Sequence, residues 1–293
     1  MTTPEPARRL AAVVLLAALT LGGGVRAEEA AEHMAEPHDW SFTGVTGAYD
    51  KQQLQRGFQV FQQVCTACHG LKRVRFRNLA EPGGPEFPVK AVKELAKTWP
   101  YQISGELDDE GNPIDRLPGL ADPIVGPYKN DVQARAAQNG ALPPDLSLVV
   151  RARSVHNEAP WYTHWLHMLS DIAYARQDGG ADYVFGLLTS YKDQPPADFE
   201  LAEGKYYNVT FPGHQISMPP PLSKDNVIEY QSDAGASSTF EQNVKDVTAF
   251  LAWAADPSLD ARKELGWQVL LYLVITTILL YIAKRRIWSR VKH

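Results

Sequence analysis

Cysteine is nearly absent from this chain. Two stand among 293 residues, Cys65 and Cys68, too few for the disulfide framework that staples small secreted domains. Methionine is scarce as well, at four residues, so each can be weighed individually as a metal ligand. Basic side chains are in deficit: residues 28–265 hold 33 Asp and Glu against 21 Lys and Arg, a balance of −12. A surface so acidic repels nucleic acid and steers basic partners toward it. With 44% hydrophobic and 22% charged residues, the composition excludes a disordered or fibrous chain.

Apolar runs long enough to matter occur only near the two ends. Arg8 and Arg9 precede a run from Leu10 to Leu21 that closes on Val25-Arg26-Ala27. That is the layout of a secretory signal peptide, and residues 1–27 are expected to be cleaved. The run is about a dozen residues where a membrane span needs roughly 20. At the other end, residues 266–283 are uncharged, with aromatic residues toward both borders, and read as one transmembrane helix. Lys284, Arg285, Arg286, Arg290 and Lys292 follow it. Positive residues stay in the cytoplasm, so 284–293 is expected to be a cytoplasmic tail and 28–265 an exported domain.

The two cysteines lie in Val64-Cys65-Thr66-Ala67-Cys68-His69-Gly70, the C-x-x-C-H pattern of covalent haem attachment. Two thiols three positions apart on a turn can each add to a haem vinyl group, and the adjacent histidine then lies beneath the iron as its proximal ligand. A redox-active dithiol belongs between a strand and a helix. Here Leu54 to Phe61 has the apolar spacing of an amphipathic helix instead. Half of a zinc site would require further ligands at matching spacing, and no other cysteine exists to supply them.

A low-spin electron carrier closes the iron with a methionine or a second histidine. Met1 falls in the signal, Met34 in the polar stretch after it, and Met168 in an aromatic segment. Met218, in Phe211-Pro-Gly-His-Gln-Ile-Ser-Met218-Pro-Pro-Pro-Leu222, remains. Pro219, Pro220 and Pro221 hold the chain extended there and would present the thioether on a stiff loop. His214 is the competing ligand, and a methionine that only fills a gap in the core is the plainer reading. Between His69 and Met218 lie 148 residues, enough to build structure of their own. Helical patterning marks Val89–Lys97, 131–139, 181–190 and 241–255, whereas Glu106 to Asp115 reads as an exposed loop. The expected fold is mainly α with long irregular loops and no internal repeat.

Taken in order, several blocks resemble one family. They are Gln55 through His69, Asn139-Gly-Ala-Leu-Pro-Pro-Asp-Leu-Ser147, Asp182-Tyr-Val-Phe-Gly-Leu-Leu-Thr-Ser-Tyr191, Tyr207-Asn208, Phe211-Pro212-Gly213, Met218 to Leu222, and Val244 to Ala255. The chain is similar to cytochrome c1, the haem subunit of the cytochrome bc1 complex, in its bacterial form. The resemblance implies a cytochrome c-like haem domain with one C-terminal membrane anchor, holding one covalent haem c through Cys65 and Cys68. His69 and Met218 would be the axial ligands, with Arg153 and Tyr183 beside the haem propionates. An arginine suits that place because its planar fork matches a carboxylate.

The resemblance also implies a place in the respiratory chain, as the electron-transfer subunit of a ubiquinol–cytochrome c reductase and not a catalyst on its own. Electrons would come singly from an iron–sulfur protein and leave on a basic mobile cytochrome c. Cytochrome b would be the other membrane partner, in a dimeric complex of the bacterial inner membrane with the haem domain on the periplasmic side. Other readings are an anchored cytochrome of another respiratory complex, and a haem peroxidase with an open distal site. The sequence departs from the family between Arg153 and Gly179, where 154–178 form an insertion. It contains His156, His164 and His167, and His164 and His167 would share one helix face. A metal or second haem there lacks a completing carboxylate or cysteine, so an aromatic packing element or partner contact is expected.

Overall fold

The computed structural model describes residues 37–108, 110–153, 179–230 and 235–289. The expected signal peptide, Met34, Met168 and the 154–178 insertion with its three histidines lie outside them.

The centre of the domain is a crossed pair of helices. Helix α1, Lys51–Gln63, is capped by Asp50, whose side chain accepts from the Gln53 amide at 2.8 Å. Leu54, Phe58 and Phe61 recur at helical spacing and are buried. They meet the later helix Phe240–Ala255, where burial is nearly continuous from Asp246 to Ala255. A helix apolar all round belongs inside a core. Phe250 is the hub, its ring centroid 5.5 Å from Phe58, 5.6 Å from Phe61 and 5.5 Å from Trp253.

One ion pair is sealed in this crossing. Arg56 donates from Nε to Asp246 Oδ2 at 2.7 Å, and Gln53 and Gln242 donate to Asp246 Oδ1 at 3.1 and 2.7 Å. The Asp246 side chain is 0% exposed. Both oxygens of the carboxylate are thus met by donors, which is what a buried charge requires.

Around this pair the chain lays short elements. They are strand β1 Leu71–Arg75, helix α2 Val89–Lys97, strands β2 Ile103–Leu107, β3 Pro113–Arg116 and β4 Pro123–Ile124, helices α3 Asp131–Ala137 and α4 Val149–Ala152, helix α5 Gly179–Thr189, and strands β5 Tyr206–Tyr207 and β6 Gln215–Ile216. The strands form three antiparallel pairs, β1–β4, β2–β3 and β5–β6. The stretch read as an exposed loop from Glu106 to Asp115 is therefore the tip and flanks of a hairpin. Its turn is closed by Asp108, whose carboxylate accepts from the amides of Glu110 and Asn112. The domain is otherwise helix-rich, as expected. Numbering the core helix Phe240–Ala255 as α6, the last helix α7 runs Leu259–Trp288 and is long and apolar enough to cross a membrane. None of its apolar window is buried in the protein.

Helix α7 begins inside the domain, before the apolar run. Lys263 donates to the carbonyls of Phe42 and Gly47, both at 2.8 Å, and Asp260 accepts from the Tyr49 amide at 3.3 Å. Between α6 and α7, Asp256 takes Arg262 through two hydrogen bonds, 2.9 and 2.6 Å, and Arg151 at 2.5 Å. Burial pushes the Asp256 carboxyl up, but the bond from Arg262 and the charges of Arg151 and Arg262 outweigh it and hold it below the usual range. A carboxyl depressed in the folded state contributes stability above its unfolded pKa of about 4 and loses it as pH falls through the folded value. Thermal unfolding of the detergent-solubilised protein is expected to drop on acidification below pH ~4. The acid slope should be shallower in Asp256→Asn, and equal slopes would show that this carboxyl contributes nothing.

Candidate functional site

The haem-attachment motif is an extension of α1. The helix ends at Gln63 and the chain tightens at once into a 3₁₀ turn over Cys65–Ala67, with the amides of Cys68 and His69 both reaching the Cys65 carbonyl, at 3.2 and 2.9 Å. Thr66, buried, ties the turn back through its hydroxyl to Gln62 O at 2.7 Å. Cys65 and Cys68 stand at half-buried positions and are not joined to each other. Burial chiefly, with Cys68 adding, pushes the Cys65 thiol up to about 12. The Cys68 sulfur lies 3.7 Å from Gln138 Nε2, which also bonds the Tyr128 hydroxyl at 2.6 Å.

Past His69 the backbone is gripped from both sides. β1 pairs with β4 so that Leu71 faces Ile124. Gly70 then lies against Gly126: a Cβ on Gly70 would sit 2.7 Å from the Gly126 amide, and one on Gly126 2.9 Å from the Gly70 amide. Only glycine at both positions lets the strands approach so closely. On the other edge, residues 144–147 dock onto the same strand. The Leu146 amide donates to Gly70 O at 3.0 Å, the Lys72 amide to Asp145 Oδ2 at 2.7 Å and the Arg73 amide to Ser147 Oγ at 3.0 Å.

That docking brings the Pro144 carbonyl to 2.7 Å from His69 Nδ1. A carbonyl can only accept, so Nδ1 carries the proton and Nε2 keeps its lone pair. Burial holds the imidazole pKa below its ordinary value, against smaller opposing effects of Pro144 and Asp145. Burial thus favours the neutral ring. An oriented imidazole beside two cysteine sulfurs on one turn is a donor set that fits an attached haem, with the carbonyl as the outer partner that fixes the ring.

The remaining nominated residues gather in a second cluster. Arg153 is exposed at the end of α4, and its charge acts on Tyr183, a buried residue of α5. Burial raises the Tyr183 hydroxyl and Arg153 partly lowers it. Tyr191 follows α5. Burial raises its hydroxyl strongly, with Tyr183 and Tyr206 adding, and the hydroxyl donates to the Met218 carbonyl at 3.1 Å. Met218 is half-buried, two residues beyond β6. His214, its rival, sits at φ 55° with Nδ1 3.3 Å from Asn208 O and its ring among Phe199 and Tyr207.

The two clusters share supports. Residues 144–153 run from the carbonyl on His69 to Arg153, and α6 packs against both α1 and α5. The Pro144 carbonyl, Asp145, Ser147, Asn208 and Tyr191 were not individually nominated by sequence. All stand in the blocks that carried the resemblance, and a backbone acceptor or a buried amide leaves no pattern of its own.

Comparison with known proteins agrees with this geometry. The sequence model described as the Cytochrome C1 family matches residues 40–291. The chain is 45% identical over 258 residues to cytochrome c1 of Blastochloris viridis, covering 87% of this chain and 88% of that protein. It is 40% identical over 308 residues to cytochrome c1 of Rhodospirillum rubrum, the whole of both. A relative named cytochrome b-c1 complex catalytic subunit, mitochondrial, from Candida albicans is 40% identical over 266 residues, 90% of this chain and 81% of that one.

Proposed function

Because the chain belongs to the Cytochrome C1 family, carries covalently bound haem c and transfers electrons, we propose that it is the haem subunit of a quinol–cytochrome c oxidoreductase. In this reading it takes single electrons from an iron–sulfur protein and passes them to a mobile c-type cytochrome. The observation that carries the reading is the His69–Pro144 bond, which leaves one nitrogen of the imidazole available beside two cysteine sulfurs. The Candida relative's name, a b-c1 complex subunit, supports cytochrome b and the iron–sulfur protein as neighbours.

The haem supplies a one-electron couple between ferric and ferrous iron. The chain does the rest. Cys65 and Cys68 tether the group, so it cannot dissociate. His69, its tautomer set by Pro144, and Met218 would hold the iron. A soft thioether would favour the ferrous state and raise the potential, and a haem iron held by both residues would be closed to oxygen and peroxide. Arg153, whose charge acts on Tyr183, and Tyr183 would face the propionates. The −12 balance of residues 28–265 hastens encounter with a basic carrier, an effect that salt weakens.

The chain is a single-pass membrane protein. Within the proposal, residues 1–27 are removed on export and 266–283 span the bacterial inner membrane. Lys284, Arg285 and Arg286 hold the tail in the cytoplasm, which leaves the haem domain on the periplasmic side of a dimeric complex. The test is the visible spectrum of the purified protein beside Met218→Leu. Wild type is expected to show the weak ferric band of a sulfur–iron bond. The variant should lose the band and titrate at a lower potential. A high-spin wild type that binds carbon monoxide would instead mean an open distal site, and a peroxidase would return.

A further inference from the structure

We infer that Asn208 is the positioning residue that holds Met218 at the iron, with Tyr191 as a second fastening on the same loop. The inference rests on the reading of Met218 as axial ligand. Asn208 is 0% exposed and uses both ends of its amide. Nδ2 donates to the Leu187 carbonyl at 2.8 Å. That carbonyl lies in the last turn of α5, which ends at Thr189, so it has no acceptor role inside the helix. Oδ1 accepts from Ser190 Oγ at 3.0 Å and from the amides of Thr210 and Phe211 at 3.1 and 3.0 Å. The side chain thereby caps a helix and forms a turn at once, using the amide's donor and acceptor ends together.

The loop so fixed leads directly to Met218. The Asn208 amide donates to His214 O at 3.0 Å, β5 and β6 pair across the hairpin, and Met218 follows two residues later. Tyr191, bridged to Asn208, then takes the Met218 carbonyl through its hydroxyl at 3.1 Å. Two ties from one short segment, residues 187–191, therefore fix the hairpin at its base and the ligand residue itself. A thioether is a weak ligand, so the fraction of time it occupies the iron depends on how completely the loop is held in place.

Three variants of the full-length, haem-loaded protein in detergent test this. Met218→Leu is expected to lose the ferric sulfur–iron band. Asn208→Ala is expected to lose most of it, to lower the potential and to let ferrous haem take up carbon monoxide. Tyr191→Phe removes one hydroxyl. It is expected to speed carbon monoxide binding by up to about tenfold, the grip of a single hydrogen bond on an open–closed equilibrium. A purely structural role would lower the melting temperature alone. Wild-type band, potential and carbon monoxide reactivity in both Asn208→Ala and Tyr191→Phe overturn the inference. Should Asn208→Ala fail to accumulate, an unchanged carbon monoxide rate in Tyr191→Phe overturns it by itself. If Met218→Leu keeps the band, it is the ligand reading that fails, and the inference falls with it.

Discussion

Gly57→Ala is expected to destabilise the domain by several kcal/mol and to cut the yield of haem-loaded protein. In an exposed helix the same change would stabilise by roughly 1 kcal/mol, since alanine is the better helix former. Here the contacts decide otherwise. An added Cβ would stand 2.1 Å from the Asp246 carbonyl oxygen and 2.7 Å from Phe250 Cβ. Those are backbone and a buried ring stem, neither of which can swing aside, so α1 must lift from α6 by about 1 Å. Overpacking of this kind costs about 1–3 kcal/mol and more where nothing relaxes. The same movement shifts Cys65, Cys68 and His69, which continue α1 without a hinge. Denaturant titration of the variant against wild type measures the first effect and covalent haem content the second. An alanine variant as stable as wild type would mean that the helices slide freely.

The second large effect is expected from Asp246→Ala. Arg56 would lose its carboxylate while its own side chain, 10% exposed, stays in the core over the Tyr230 ring at 5.8 Å. Burial works to lower the Arg56 pKa, and Asp246 more than offsets it. Breaking a buried pair on one side costs about 3–5 kcal/mol, because a charge is left without compensation. Replacing both members with apolar residues of similar volume is often neutral. Arg56→Met with Asp246→Leu is thus expected to recover most of the loss, read as a coupling energy in a double-mutant cycle. Losses in Arg56→Met and Asp246→Leu that simply add in the double variant would show that the pair is not coupled.

Helical periodicity revealed most of this fold because its long elements obey one rule. Leu54, Phe58 and Phe61 in α1 and the continuous burial of α6 follow from apolar spacing alone. Two features escaped for definite reasons. The hairpin around Asp108 has strands of five and four residues with glycine, proline and acidic residues in place of alternation. Its register comes from the turn, and composition there suggests only a loop. Helix α7 starts before the apolar run, where Asp260, Arg262 and Lys263 hold partners in Phe42, Gly47, Tyr49 and Asp256, most of them remote in sequence.

The candidate site divides the same way. Cys65, Cys68 and His69 announce themselves, since covalent attachment demands fixed spacing. Met218 emerges by elimination because methionine is rare. Pro144 acts through its carbonyl, which any residue could supply, and Asn208 through an amide whose neighbours lie in α5. Such positions become visible only once the chain is folded.

The clamp where α6 meets α7 gives the protein the mechanics of a lever. At 1.5 Å per residue the 30 residues of α7 form a rod about 45 Å long, and Lys263 and Arg262 bolt its upper end to the head. A helix that tilts to match a thinner bilayer takes the head through the same angle, because no slack linker intervenes. Bilayer thickness then sets the height and attitude of the redox group relative to the membrane plane.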